Sequence, residues 1–372
     1  MRLGLFLAYW PWFTPQEQVE LAVLGDELGL DSVWISEAWG QDAVSVLGLL
    51  AGKTERIGLG SGLMQIPARQ PAATAMAAAS LDVLSGGRFR LGLGLSGPQV
   101  SEGWYGVAFE RPLTRTREYV EIVRTVLARR TLTYDGSAFT LPLPADAPGA
   151  SGLGRPLKLL AKPVQRPLPV YLGAIGPRAV RQTGAIADGW LPFLLSPDQP
   201  ELLLEPLRAG AAEAGRTLAE IDVAPVVPVA LADSEREARD LVRPWLAFYL
   251  GAMGARDKNF YVELAAGYGH GEAARACQER FLDGDRLGAA LALTDELIDA
   301  GTIATTPERL PERIERYRAL GADTLVIVPC GDKPAVVRAV ADAVAARRLA
   351  PDARAASEDP PAAPARRESA AP

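Results

Sequence analysis

Eight apolar, strand-like segments alternate with helix-forming stretches along this chain, and three helix-to-strand joints share one pattern. Together they predict an α/β protein with a parallel sheet, closed as a (β/α)8 barrel of the TIM type. The joints are Gly29 and Asp31 before SVWIS (32–36), Gly321-Ala322-Asp323 before TLVIV (324–328), and Ala187-Asp188-Gly189 before WLPFLL (190–195). Most of the strand segments are apolar on both faces, as in a sheet covered by helices. Strand number and the length of 372 residues favour closure. An open doubly wound sheet is the alternative.

RLGLFLA (2–8) reads as the first buried strand. Thr14-Pro15-Gln16-Glu17 then opens a helix, with Thr14 as N-cap, Pro15 at the first helical position and Glu17 completing a capping box. That helix runs to Gly29. The remaining strands are ERIGLGSGLM (55–64), RFRLGLG (88–94), LPVYLG (168–173) and IDVAPVVPVAL (221–231). Helices are predicted at 42–53, 70–84, 115–130, 177–186, 199–214, 234–252, 306–319 and 333–347. Two segments interrupt the alternation. Residues 131–167 are Pro/Gly-rich and read as a short hairpin and a loop laid over the barrel; residues 254–295 read as a largely helical excursion. Long insertions after barrel strands shape the entrance to a site. Residues 1–350 therefore form one domain, and the Ala/Pro/charge-rich stretch 351–372 reads as a disordered tail.

The chain is 48% hydrophobic and 23% charged, enough apolar material for a large core. A net charge of −6 argues against bulk nucleic-acid binding or an anionic membrane surface. No run of apolar residues approaches a membrane span, and MRLGLFLAYWPWF does not resemble a signal peptide, so a cytoplasmic enzyme acting on a small molecule is expected. Cys277 and Cys330 fit neither a metal spacing nor a disulfide framework. The single histidine, His270, rules out two-histidine metal sites, and its place in YGHGEAAR reads as a surface loop.

Ligands bind at the C-terminal ends of barrel strands, so those ends carry the functional reading. They are Tyr9-Trp10 with Trp12, then Glu37-Ala38-Trp39, Gly62-Leu63, and Ser96-Gly97. Glycine and aromatics dominate and acid–base groups are few. This suits a planar ligand better than a hydrolytic reaction. In LGLGLSGPQVSEGWYG (91–106), glycines gather where a strand ends and Glu102 follows, which lets backbone approach a flat ligand. In GAIGPRAV (173–180), glycines lead into a helix at Pro177, where free N–H groups and the Arg178 charge suit an anion. The plainer readings are a strand-to-loop turn and a capped turn. No Rossmann-type GxGxxG supports nicotinamide.

DSVWISEAWG, TERIGLGSGLMQIPARQPAATAMAAASLDVLSGGRFRLGLGLSGP, LPVYLGAIGPRAVRQTGAIADGW and TPERLPERIERYRALGAD, in that order, resemble the bacterial-luciferase-like superfamily. The likeness spans about residues 1–345 and is greatest to the branch using the deazaflavin coenzyme F420, methylenetetrahydromethanopterin reductases above all. It implies a (β/α)8 barrel with inserted segments, a homodimer, and a non-prolyl cis peptide after strand three, here Gly62–Leu63. It further implies that Glu37, Gly62, Leu63, Ser96, Gly97 and Glu102 line the coenzyme ring and its ribityl chain. Gly173, Ala174, Gly176, Pro177 and Arg178 would hold the chain and phosphate. From the residues themselves, Trp10, Trp12 and Trp39, with Trp104 and Tyr105, suggest an aromatic substrate mouth, with barrel-end packing as the equal alternative. The implied reaction passes hydride from reduced F420 to a C=C or C=N bond, with Glu37 or Glu102 as proton donor. Either carboxylate could instead only orient a loop. The alternatives are an FMN-dependent monooxygenase and a non-catalytic flavin-binding relative. Two positions depart from relatives. Alcohol- and sugar-oxidising members have Asp-His where Glu37-Ala38 stands, and Trp190-Leu191-Pro192-Phe193 offers no threonine to a phosphate.

Overall fold

A computed structural model describes residues 1–10 and 12–349; the tail expected at 351–372 lies outside them. Eight parallel strands form the ring: β1 (Arg2–Leu7), β2 (Ser32–Ile35), β3 (Gly58–Ser61), β4 (Phe89–Gly94), β5 (Val170–Leu172), β6 (Gly189–Trp190), β7 (Val226–Leu231) and β8 (Thr324–Pro329). Each is followed by a covering helix: α1 (Pro15–Glu27), α2 (Ala43–Ala51), α3 (Pro71–Leu84), α4 (Pro112–Leu127), α5 (Pro177–Ile186), α6 (Glu201–Glu213), α7 (Glu235–Ala252) and α8 (Lys333–Leu349). The expected capping box starts α1: Thr14 Oγ1 accepts from Glu17 N at 3.1 Å, and Glu17 Oε2 accepts from Thr14 N at 2.7 Å.

The chain's first and last ring strands meet, with Arg2 beside Thr324 and Leu5 beside Ile327. The expected strand 221–231 is split. Its lower part, Asp222–Val223, pairs with β6, then Ala224-Pro225 breaks the ladder. Phe193 bridges to Val226, and Val226–Val229 pair with Val326–Pro329, which closes the ring. The upper end of β7 pairs instead with a short strand, Ile303–Thr305, that the apolar pattern does not reveal. β3 is shorter than expected because the chain turns at Gly62–Leu63 and resumes as Met64–Gln65 beside β4.

Two rings fill the barrel. Trp34 and Tyr171 meet edge to face at 4.9 Å between centroids. Burying each contributes about 2–3 kcal/mol. Their bulk explains glycines paired with them on the neighbouring strands: a Cβ at Gly60 would lie 2.1 Å from the Trp34 ring, and one at Gly189 2.0 Å from Tyr171. Below them Tyr171 donates to Asp222 at 2.8 Å, Thr324 Oγ1 donates to Asp222 at 2.9 Å, and Arg2 and Arg90 pair with Asp222 and Asp31. This polar floor occupies the N-terminal end, leaving the opposite end for a ligand.

The first excursion holds the expected hairpin, Tyr134–Asp135 against Thr140–Leu141. The second is helical, with Phe260–Gly267, Gly271–Leu282, Arg286–Leu291 and Asp295–Gly301. It follows α7, touches the chain beyond β6 where the Tyr268 hydroxyl donates to the Leu194 carbonyl at 2.9 Å, and returns through Ile303–Thr305 and Leu310–Ala319 to β8. Among the described residues no helix is long and apolar enough to cross a membrane.

Candidate functional site

The Gly62–Leu63 peptide is cis, as the resemblance implies. It turns Leu63 into the mouth, over the ends of β4 and β5. A Cβ at Gly173 would lie 2.1 Å from Leu63 Cδ1, and one at Gly94 2.9 Å from it. The sequence suggests that these glycines admit a ligand. The structure shows a different local cause: they admit Leu63, leaving an apolar platform at the rim.

Glu37 follows β2 and has only 3% of its side chain exposed. Its two carboxylate oxygens accept from Arg69 Nη1 and Nη2 at 2.7 Å each, from Gln65 N at 3.0 Å and from Ala43 N at 3.2 Å. Gln65 Nε2 donates to the Glu37 carbonyl at 3.1 Å. One carboxylate thus ties the start of α2 to the segment just after the cis turn. Hydrogen bonding to Glu37 raises the Arg69 guanidinium above its ordinary value against burial, and Asp42, at 2.5 Å, adds to it. Sequence reasoning did not single out Arg69. Its only signal is an isolated basic residue in the apolar stretch MQIPARQP.

Ser96 follows β4 with φ 62°, in the left-handed region. Gly97 then leads into a short helix, Pro98–Gly103. Glu102 on that helix is exposed and accepts from Phe109 N at 3.0 Å. Tyr105, further along this loop, comes close enough to feel the charges of Glu37, Arg69 and Asp42; burial first, then Glu37, raises its hydroxyl.

On the β5 side, Gly176 is the N-cap of α5 in extended conformation, and Pro177 takes the first helical position. Among the described residues no side chain caps this helix and nothing lies within 4 Å of a Cβ placed on Gly176. Arg178 is exposed beside it. The Ala174 carbonyl accepts from Trp190 Nε1 at 2.9 Å. A small recess of about 20 Å³, lined by Leu95, Gly173, Ala174 and Gln182 among others, has room for about one water. The larger groove, about 420 Å³, lies outside the barrel between α1 and α8 and includes none of these strand-end residues.

Trp10, Trp12 and Trp39 separate. Trp10 and Trp39 are exposed, Trp10 donating to Gln18 at 3.3 Å. Trp12 packs edge-on against Trp245 at 5.4 Å and Phe248 at 5.9 Å. These features fit a planar group with a phosphate-ended chain. Leu63 offers an apolar platform against Gly173, and just beyond Gly173 stands a helix start with, among the described residues, no side-chain cap, open space and an exposed arginine.

A protein of Mycobacterium tuberculosis assigned to the coenzyme F420-dependent oxidoreductases is 39% identical over 89% of this chain and 95% of its own length. The 5,10-methylenetetrahydromethanopterin reductase of Archaeoglobus fulgidus is 31% identical over 82% and 86%. Among solved structures, the coenzyme F420-dependent tetrahydromethanopterin reductase from Methanopyrus kandleri superposes with a TM-score of 0.77 at 26% identity, covering 93% of this chain and 99% of that one. The family model described as luciferase-like monooxygenase matches residues 1–324, and the chain belongs to that family.

Proposed function

We propose that this protein is a coenzyme F420-dependent oxidoreductase that passes hydride from the reduced deazaflavin to an activated C=C or C=N bond. The observation that carries the reading is Leu63, packed onto Gly94 at the end of β4 and Gly173 just after β5, near a start of α5 that no side chain caps among the described residues. A relative and a solved structure named for F420 cover 89% and 93% of the chain.

When bound, the coenzyme supplies hydride at its C5 position. Leu63 would back the ring as an apolar platform. Gly62, Ser96 and Gly97 line the ring and ribityl chain. Gly173, Ala174, Gly176 and Pro177 hold the chain and phosphate through free N–H groups and the positive end of α5, and Arg178 adds charge. Glu37 positions Leu63 by accepting from Gln65 N and Arg69. With four donors on its oxygens, it acts as a holding group. Glu102, exposed at the rim, is the carboxyl left to pass a proton. Trp10 and Trp39 border the substrate side.

Parallel titration with F420 and FMN tests the reading. F420 binds about tenfold tighter or better, a difference of about 1.4 kcal/mol. Equal or tighter binding of FMN overturns it in favour of a monooxygenase.

A further inference from the structure

The net charge of −6 is unevenly spread, and one stretch of the first excursion reverses its sign. Residues 151–167, SGLGRPLKLLAKPVQRP, carry Arg155, Lys158, Lys162 and Arg166 and no carboxylate. All four cations are exposed, and among the described residues none has an ion pair or a side-chain hydrogen bond. Leu153, Leu157, Leu160 and Val164 stand between them and are exposed as well, Leu160 at 92%. In the leg that leads to this stretch, 142–150, Asp146 is the single carboxylate.

The exposure follows from how the stretch is held. Asp82, near the end of α3, accepts from Val164 N at 2.6 Å, Gln165 N at 3.0 Å and Gln165 Nε2 at 2.7 Å. Gln165 Nε2 also donates to the Phe89 carbonyl at 2.6 Å. Just beyond α4, Leu132 N donates to the Leu157 carbonyl at 2.8 Å and Arg129 Nε to the Leu159 carbonyl at 3.2 Å. Burial then alternates, as along an extended chain with one face on the protein. Leu159, Ala161, Pro163 and Gln165 are buried or half-buried, whereas Lys158, Leu160, Lys162, Val164 and Arg166 are exposed. The outer face thus reads cation, apolar, cation, apolar, cation. Solubility accounts for the cations but not for the apolar row among them, and such a row marks an interaction surface.

We propose that this strip docks the protein on a lipid bilayer rich in anionic headgroups. The cations meet lipid phosphates, and Leu157, Leu160 and Val164 enter the boundary between headgroups and acyl chains. At physiological ionic strength charges beyond about 8 Å are largely screened, so the sign of the strip outweighs that of the whole molecule. Two features favour a bilayer over a protein partner. Pro156, Pro163 and Pro167 have no N–H, which denies a partner strand a continuous ladder. The apolar side chains protrude, a shape that suits a fluid interface better than a packed one. A second copy of the strip would bring like charges together. Phe89 begins β4, so the strip hangs at the end of the barrel opposite Leu63, and a docked molecule keeps its mouth in solvent. This docking is independent of the hydride-transfer reading.

The test is co-sedimentation of the full chain with vesicles of phosphatidylcholine alone and of equal parts phosphatidylcholine and phosphatidylglycerol. Wild type sediments with the anionic vesicles only, and added salt releases it. Lys158→Gln combined with Lys162→Gln weakens binding by about tenfold or more, at about fivefold for each cation. Leu160→Ser weakens it by about fivefold or more through lost apolar burial. Arg338→Gln, which removes an exposed cation on α8, leaves it unchanged. The substituted side chains are all exposed, and thermal melts check the fold. Wild type that does not bind anionic vesicles, or binding that survives the double lysine change intact, overturns the proposal. Tighter binding to poly-glutamate than to vesicles, with vesicle binding unchanged in Leu160→Ser, also overturns it and identifies an acidic protein partner instead.

Discussion

Glu37 and Arg69 meet edge to edge, each guanidinium nitrogen 2.7 Å from its own carboxylate oxygen, beside the cis turn at Gly62–Leu63. The pair is mostly buried, with 3% and 23% of the side chains exposed. Removing one charge leaves the other in a poorly solvated place. Glu37→Gln is therefore expected to lower stability by about 2–3 kcal/mol in urea unfolding and to weaken coenzyme binding. The pH–rate profile keeps its shape, because the residue holds rather than transfers protons. Loss of a limb from that profile in Glu37→Gln would instead identify Glu37 as the proton donor.

Gly173 and Leu63 form a second coupled pair. A Cβ at 173 would sit 2.1 Å from Leu63 Cδ1, so Gly173→Ala must push Leu63 off its platform. The variant is expected to lose stability by about 1–3 kcal/mol, as overpacking does, and to bind F420 more weakly. Adding Leu63→Ala relieves the collision and recovers stability but not affinity. Additive stability losses in the double variant would show that the two residues do not interact.

At the start of α5 the expectation is the reverse. Gly176 has φ −83° and open space around its Cα, so valine fits there without a ligand. Gly176→Val and Arg178→Ala both keep wild-type melting temperatures. Gly176→Val weakens F420 binding much more than Arg178→Ala, whose exposed charge contributes about 1 kcal/mol or less. Normal affinity in Gly176→Val would move the phosphate elsewhere on the rim.

The first excursion is held by a carboxylate with a pH signature. Burial alone would raise Glu118, but Ser137 N, Ala138 N, Phe139 N and the Ser137 hydroxyl donate to it and bring it below its ordinary value of 4.5. Because the folded value is the lower one, this stabilisation is complete above the unfolded value and is lost as pH falls through the folded one. Melting temperature followed through the acid range should show that decline, and Glu118→Gln should flatten part of it. A Glu118→Gln curve parallel to wild type would refute the assignment.

The ring was legible because its signals are local. Apolar strand segments and Gly/Asp joints repeat, and the capping box at Thr14 needs only four neighbours in sequence. What escaped depends on distant contacts. Ile303–Thr305 is a strand only because β7 presents an edge to it, and Arg69 matters only because Glu37 lies 32 residues away in sequence. Glycines mislead for the same reason. Gly60 and Gly189 face Trp34 and Tyr171, and Gly94 and Gly173 face Leu63, so a pattern that suggests ligand approach is partly written by side chains on other strands. Trp12, expected beside Trp10 and Trp39, packs on Trp245 and Phe248 instead, a contact that no local pattern announces.

The pairing of β1 with β8 has a consequence for biosynthesis. One edge of β1 pairs early with β2, but on its other edge residues 2–5 find their partners at 324–327. On the ribosome, a nascent chain that already contains most of the barrel still exposes one unpaired edge along Arg2–Leu5. Long-range closure of this kind is slow and prone to misassociation. Production of the protein therefore depends on how well that edge is shielded until the last ring strand emerges, and co-expressed chaperones should raise the yield of soluble protein more than slower translation of the first half does.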